Sequence, residues 1–313
     1  MVRIGVDLGG TNMAAGLVNE KKEIIAADSV PTRKCGTPEQ IAEDMKELVL
    51  MLLSKNGLKR EDVELVGVGI PGSVTPDGVV EDANNIGFVN VPFKKMMETL
   101  LKMPVSAVND ARAAAYGEYF AGAGKGAEVF QMLTIGTGIG GATIINGKVI
   151  EGCNGGAGEI GHMVLVRDGK QCNCGRKGCF EVYASASALK ERMEELASSK
   201  PTKLLEFVGG DAKKLNGKTL FKGLEAGDAL SSEIFNEFTD YLAAGITDII
   251  NMLQPDVLCI GGGMSAQGEK LLAPVREKVY SMVYTKHSKV QTKILAAVLG
   301  NDAGIIGAAY SKI

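Results

Sequence analysis

The 313-residue chain has no tryptophan, only two histidines and nine prolines, and nowhere a block of basic residues. The missing basic block restricts the partners. With a formal net charge of −3 and no clustered lysine or arginine there is no electrostatic footprint for nucleic acid. An anionic substrate would have to be held by backbone N–H groups and a metal cation. A long apolar run is missing too. The longest uncharged stretch, 129–146, is interrupted by glycine, threonine and glutamine, so no membrane span is expected. The start, Met1-Val2-Arg3-Ile4-Gly5-Val6-Asp7, places an aspartate where a secretory leader needs its apolar region. A cytoplasmic location with reduced thiols is therefore expected.

Glycine, in contrast, is plentiful. There are 41, gathered in short runs after apolar stretches, which suits backbone-lined binding loops better than disorder. Hydrophobic residues make up 45% and the mean hydropathy is +0.09, the range of soluble globular proteins. The length allows two domains, each with its own core.

The periodicity predicts an α/β chain. Strands are expected at Val2–Asp7 and Ala14–Val18, joined through Leu8-Gly9-Gly10-Thr11-Asn12, followed by a helix over 37–56 that opens on Thr37-Pro38-Glu39 and stops at Asn56-Gly57. Further strands are read at 65–70 and 105–108, with an alanine-rich helix over 111–121. The chain then begins again: strands at 131–135 and 142–145 flank Gly136-Thr137-Gly138-Ile139-Gly140-Gly141. Helices are expected over 187–198, 233–253, 269–283 and 304–311, with strands at 257–260 and 293–298, and only a vague helical tendency over 201–228. The repeated strand–glycine turn–strand unit predicts an internally duplicated fold with a cleft between its halves. The expected division is 1–109 plus 298–313 as a small domain, and 110–297 as a larger one carrying a loop over 159–181.

That loop is the densest chemical signal. Gly158-Glu159-Ile160-Gly161-His162 is followed, nine residues on, by Cys172-Asn173-Cys174-Gly175-Arg176-Lys177-Gly178-Cys179-Phe180-Glu181. Three thiols and an imidazole make a closed tetrahedral shell for a structural zinc. A disulfide with a spare thiol, or three unrelated buried thiols, are the alternatives. Adjacent C-x-C rarely bridges to itself, and the glycines between the ligands suit a metal-wrapped turn. Glu159 and Glu181 bracket the cluster without being obvious ligands, so the loop looks built to present carboxylates.

Other motifs fit a phosphate chemistry. The turn after Asp7 lacks the Gly-Lys-Ser/Thr of a Walker loop, yet glycines at a hairpin tip let backbone N–H groups approach phosphate oxygens. Asp7 itself is placed to hold Mg2+ through its waters. A second such turn at 136–141 suggests a clamp on a nucleotide triphosphate. Gly261-Gly262-Gly263 between strand and helix suits a flat base or ribose. Asp110, opening a helix after Asn109, either caps that helix or takes a proton from an attacking hydroxyl. Asn84-Asn85 is a turn, or a pair of amides for vicinal hydroxyls. His287, in a polar stretch, reads as solvated.

These elements in this order resemble the ROK family (repressors, open reading frames and sugar kinases), built on the actin-like/hexokinase/Hsp70 ATPase fold. The resemblance covers 4–309. Its most specific part is Glu159-x-x-His162 with Cys172-x-Cys174-Gly175-x-x-Gly178-Cys179-x-Glu181, and the stretches 83–88 and 299–304 look most like the bacterial glucokinases of Gram-positive type. The resemblance implies an ATP-dependent hexose kinase acting with Mg2+, in which Asp110 is the general base on the sugar 6-hydroxyl and Asn109 contacts the sugar. Asn85, Glu159 and Glu181 would hold hydroxyls. His162 would ligate zinc with Cys172, Cys174 and Cys179, and touch the sugar through its other nitrogen. Gly9, Gly10, Thr11 and Thr137 would line the phosphates, with Asn12 and Gly138 in the same turns, and Gly262 would lie near adenosine. Many relatives carry tryptophan where this chain has Phe88. Glucose is the expected sugar, with N-acetylmannosamine, allose or fructose as alternatives. A sugar-sensing regulator is the remaining possibility, disfavoured because only six residues precede Asp7. A homodimer is expected from the family.

Overall fold

The computed structural model describes residues 1–311. The chain opens with β1 (Val2–Leu8), β2 (Asn12–Val18) and β3 (Ile24–Pro31), then helix α1 (Pro38–Lys55) and β4 (Val63–Ile70). Three short strands follow, β5 (Ser73–Val74), β6 (Val80–Ala83) and β7 (Phe88–Val91), then α2 (Phe93–Leu101), β8 (Val105–Asn109) and α3 (Asp110–Ala121). The first sheet runs β3-β2-β1-β4-β8, antiparallel between β1, β2 and β3 and parallel across β1, β4 and β8. A separate sheet joins β5, β6 and β7.

Local chemistry explains α1. Thr37 accepts from Gln40 N at 3.3 Å while Gln40 accepts from Thr37 N at 3.0 Å, a reciprocal cap with Pro38 at the first helical position. Ile41, Met45, Leu48, Leu52 and their neighbours make the buried stripe, and Gly57 at φ +66° ends it.

The second half repeats the plan. β9 (Val129–Ile135), β10 (Ile139–Ile145) and β11 (Lys148–Val149) precede α4 (Glu181–Ala184), α5 (Ala186–Ala197), α6 (Gly217–Glu225) and α7 (Ala229–Leu253). Then come β12 (Val257–Gly261), α8 (Glu269–Met282), β13 (Lys293–Ala296) and α9 (Asp302–Tyr310). The sheet order is β11-β10-β9-β12-β13. Numbered by order of appearance, both five-stranded sheets read 3-2-1-4-5, which is the internal duplication expected from the two glycine turns.

The chain divides into two compact units: 1–131 with 142–158 and 297–313, and 132–141 with 159–296. The expected division at 109/110 differs from this one, because α3 lies in the first unit. Its partner there is α9, buried along 303–310 and packed backbone to backbone. A methyl group on Gly307 would stand 1.6 Å from the Ala113 carbonyl oxygen, and one on Gly67 of β4 1.8 Å from that of Ala308. Only glycine permits such approach.

Several elements were not foreseen from the pattern, among them β3, the short strands β5, β6, β7 and β11, and helices α2, α4 and α6. In β3 half-buried and exposed positions alternate with no fully buried residue, so its apolar signal is weak. α2 buries Phe93, Met97 and Leu101 at four-residue spacing. The segment 201–228 resolves into two single turns, Glu206–Val208 and Ala212–Lys214, and α6.

Candidate active site

In the first unit the parallel register sets one edge of the site. Asp7 pairs with Gly69, and Gly69 with Val108, so the C-terminal ends of β1, β4 and β8 lie level. Binding residues gather at such ends in α/β sheets. Asn109 caps α3, accepting from Arg112 N at 3.1 Å and donating to the Gly72 carbonyl at 2.9 Å. Its amide also donates to Asp110 Oδ1 at 3.0 Å, and Ala111 N donates to the same oxygen at 2.7 Å. One oxygen of Asp110 is thus anchored, and Oδ2 accepts no hydrogen bond among the described residues. Burial pushes the Asp110 carboxyl above the usual carboxylate range, against the pull of its hydrogen bonds. Burial first, and then the charge of Asp110, raise Asp7 as well. The register thus places both carboxylates at the same end of the sheet, Asp7 next to last in β1 and Asp110 following β8.

The turn after β1 is closed by Gly9 N donating to Asn12 O at 2.9 Å. Thr32, the residue after β3, locks it, its hydroxyl donating to Gly9 O at 2.7 Å and its N–H to Thr11 O at 3.0 Å. Gly10, Thr11 and Asn12 are exposed, and Asn85, in the turn between β6 and β7, lies against Gly10. Asp7 and Asn12 also line an open pocket of about 590 Å³ with Asn301 and Asp302.

The second unit carries the other turn. Gly136 N donates to Gly138 O at 3.0 Å, and Ala186 N at the start of α5 donates to Gly136 O at 2.9 Å, leaving Thr137 exposed at the tip. Glu181 reaches this turn: its Oε2 accepts from Ile139 N at 3.0 Å, and a methyl group on Gly138 would stand 2.2 Å from that oxygen. One oxygen of Glu181 is therefore committed to backbone, which spacing alone did not show. Thr137, Gly138, Lys170, Asn173, Glu181 and Ser185 help line a pocket of about 370 Å³. Gly262, at φ +81°, presses against the backbone of Ile135, whereas Gly263 beside it has open space. Of these two, Gly263 is the position with room for a flat ligand group.

Glu159 is exposed and immediately precedes the single turn Ile160–His162. His162 Nδ1 lies 3.7 Å from Cys172 Sγ, Cys174 Sγ lies 3.6 Å from Cys179 Sγ, and all four donor atoms fall within 4.8 Å of one another. A disulfide needs about 2.05 Å, and the cysteines are free. A tetrahedron with metal–sulfur bonds of about 2.3 Å has edges of about 3.8 Å, so these residues fit a zinc ion. Burial and the neighbouring sulfurs push the Cys179 thiol up to about 12. Glu181 Oε1 sits 3.7 Å from Cys172 Sγ, so this side chain lies between cluster and turn. His287 is exposed and apart from the cluster.

Sequence reasoning missed Thr32, because β3 itself was not recognised. It also missed Glu118, a fully buried carboxylate on α3 that accepts from Ala123 N at 2.9 Å and from Val298 N and Leu299 N at 2.8 Å each. A charge on the inner face of an alanine-rich helix was the available signal.

Fold and site together define a protein of the two-domain actin-like/hexokinase/Hsp70 ATPase class. The chain belongs to the ROK family, whose model matches residues 3–311. It is 35% identical over 310 residues to a glucokinase of Streptomyces coelicolor, covering 98% of this chain and 96% of that one. It is 30% identical over 310 residues to an N-acetylmannosamine kinase of Escherichia coli, covering 99% and 97%. Among solved structures, a ROK family glucokinase from Streptomyces griseus in complex with glucose and AMPPNP superposes with a TM-score of 0.80 at 36% identity, covering 99% and 98%. No helix among the described residues is long and apolar enough to cross a membrane.

Proposed function

We propose that this protein is an ATP-dependent hexose kinase that phosphorylates the 6-hydroxyl of glucose. The observation that carries the reading is Asp110, with Oδ1 anchored by two donors and Oδ2 accepting no hydrogen bond from any other described residue, at the edge of a parallel sheet where Asp7 also lies. Relatives named glucokinase along nearly the whole chain support it.

Phosphoryl transfer needs positioning and charge stabilisation more than covalent help. Asp110 Oδ2 accepts the hydroxyl proton while the sugar oxygen forms its bond to the γ-phosphorus. The bond from that phosphorus to the bridging oxygen breaks, and ADP departs with the electron pair. The proton leaves Asp110 to solvent afterwards. Backbone N–H groups of the turns at 9–12 and 136–138 would cradle the phosphates, and Asp7 would hold Mg2+, which would supply charge neutralisation when bound. Asn85, Asn109 and Glu159 hold sugar hydroxyls, with Glu181 Oε1, which faces Cys172 Sγ at 3.7 Å, and the second nitrogen of His162. His162, Cys172, Cys174 and Cys179 would hold Zn2+ in a structural role, because four protein donors would leave no position open for chemistry. A cytoplasmic homodimer completes the reading, and sedimentation of the purified protein tests the dimer.

The test is a coupled assay with Mg-ATP across glucose, N-acetylmannosamine, allose and fructose. Glucose is expected to give the highest kcat/KM, and a preference for N-acetylmannosamine, the substrate in the name of the Escherichia coli relative, would replace it. Asp110→Asn should cut kcat by about 10³-fold and leave glucose binding by calorimetry nearly unchanged. Full activity in that variant contradicts the mechanism.

A further inference from the structure

Helix α3 carries a second polar side chain just inside its N-terminus. Arg112 donates from Nη2 to the carbonyl oxygen of Gly155, and to that of Ala157 at 3.5 Å. Four residues on, the Tyr116 hydroxyl accepts from Val149 N at 3.1 Å. One helix thus holds both ends of the stretch 149–157, and the same helix begins with Asp110.

The stretch has little stiffness of its own. Its internal ties are Ala157 N to Glu151 O and Gly156 N to Asn154 Oδ1, each 3.1 Å. Gly152, Gly155 and Gly158 adopt φ of +75°, +78° and +96°, conformations that leave glycine free to rearrange. A guanidinium suits the task of holding it, because Nη2 carries two N–H donors fixed in its plane and serves both carbonyls, where an ammonium acts as a point charge. Gly158 alone separates the held Ala157 from Glu159, and it is where the chain leaves the first unit.

We propose that Arg112 is a positioning residue for the sugar site, fixing the Gly152–Gly158 segment and through it the placement of Glu159. The proposal rests on the kinase reading above, which gives Glu159 its sugar. Among the described residues Arg112 hydrogen-bonds to neither glycine turn, so its effect should fall on the sugar and not on the nucleotide.

Arg112→Met and Arg112→Lys test it. In Arg112→Met, KM for glucose should rise about tenfold, with KM for ATP within about twofold of the native value. Arg112→Lys should fall between the two, because one carbonyl can still be served. Amide hydrogen exchange over 152–158 should quicken about tenfold in Arg112→Met while amides of 9–12 keep their native rates. Unchanged exchange over 152–158 overturns the tether, whatever the kinetics. Faster exchange with an unchanged glucose KM overturns the role in positioning, as does an equal rise in both KM values. A native protein that phosphorylates no hexose overturns the kinase reading, and with it Arg112's role toward the sugar, while the exchange measurement still decides whether the tether exists.

Discussion

At the scale of single residues, the environment of Asp110 sets a pH dependence. Burial holds its carboxyl above the ordinary aspartate range, so the ionised form that accepts a proton is populated only at higher pH than usual. The acid limb of kcat/KM should accordingly lie above about 3.9, the value of a free aspartate, and a limb at or below it contradicts the assignment. Stability follows the same sign. A carboxyl whose folded value exceeds its unfolded value weakens the fold as pH rises through the interval between them, and has no such effect below the unfolded value. Asp110→Asn keeps an oxygen for Ala111 N and the Asn109 amide and removes a charge next to Asp7. The variant should therefore melt above the native protein at neutral pH, with the gain vanishing below the free-aspartate range. A lower melting temperature at pH 7 would show that the ionised carboxylate is stabilising.

At the scale of elements, the cysteine-rich loop and the second glycine turn are joined through one side chain. Glu181 follows Cys179 by two residues and gives an oxygen to Ile139 N. Cys179→Ala should loosen that carboxylate and raise the glucose KM several-fold before it alters ATP affinity. Chelation of zinc from the native enzyme should do the same, and an unchanged KM in metal-free protein refutes the bracing role. The clustering of His162, Cys172, Cys174 and Cys179 was legible because donor side chains with fixed spacing leave a mark in the sequence. The strand–turn–strand units and α1 were legible too, since capping and apolar period are local properties. The partner of Glu181 was not, because 42 residues separate it from Ile139. Nor was β3, whose half-buried alternation barely differs from that of a loop, and so Thr32 was missed with it. The division of the chain was misjudged for a similar reason. Asp110 begins a helix after a strand, which looks like a boundary, and nothing nearby announces that α3 packs on residues almost two hundred positions away.

At the scale of the molecule, one plan used twice explains why two similar glycine turns lie far apart in the sequence. Each five-stranded sheet turns between its first two strands on glycines, so the second turn arises from the same topology as the first. The last helix, α9, has a further consequence. It is buried along 303–310 against β1, β4 and α3, yet it is made only after the whole of 159–296 has been synthesised. On the ribosome the first unit, although it begins the chain, cannot finish folding until its last piece emerges. A chain truncated after Ala296 should thus show rapid amide exchange along β1 and β4, and addition of a peptide spanning 297–311 should restore protection. Native-like protection in the truncated chain would mean that the sheet folds without its closing helix. Asp7 and Asp110 are among the first site residues to be translated, and their surroundings are among the last to be completed.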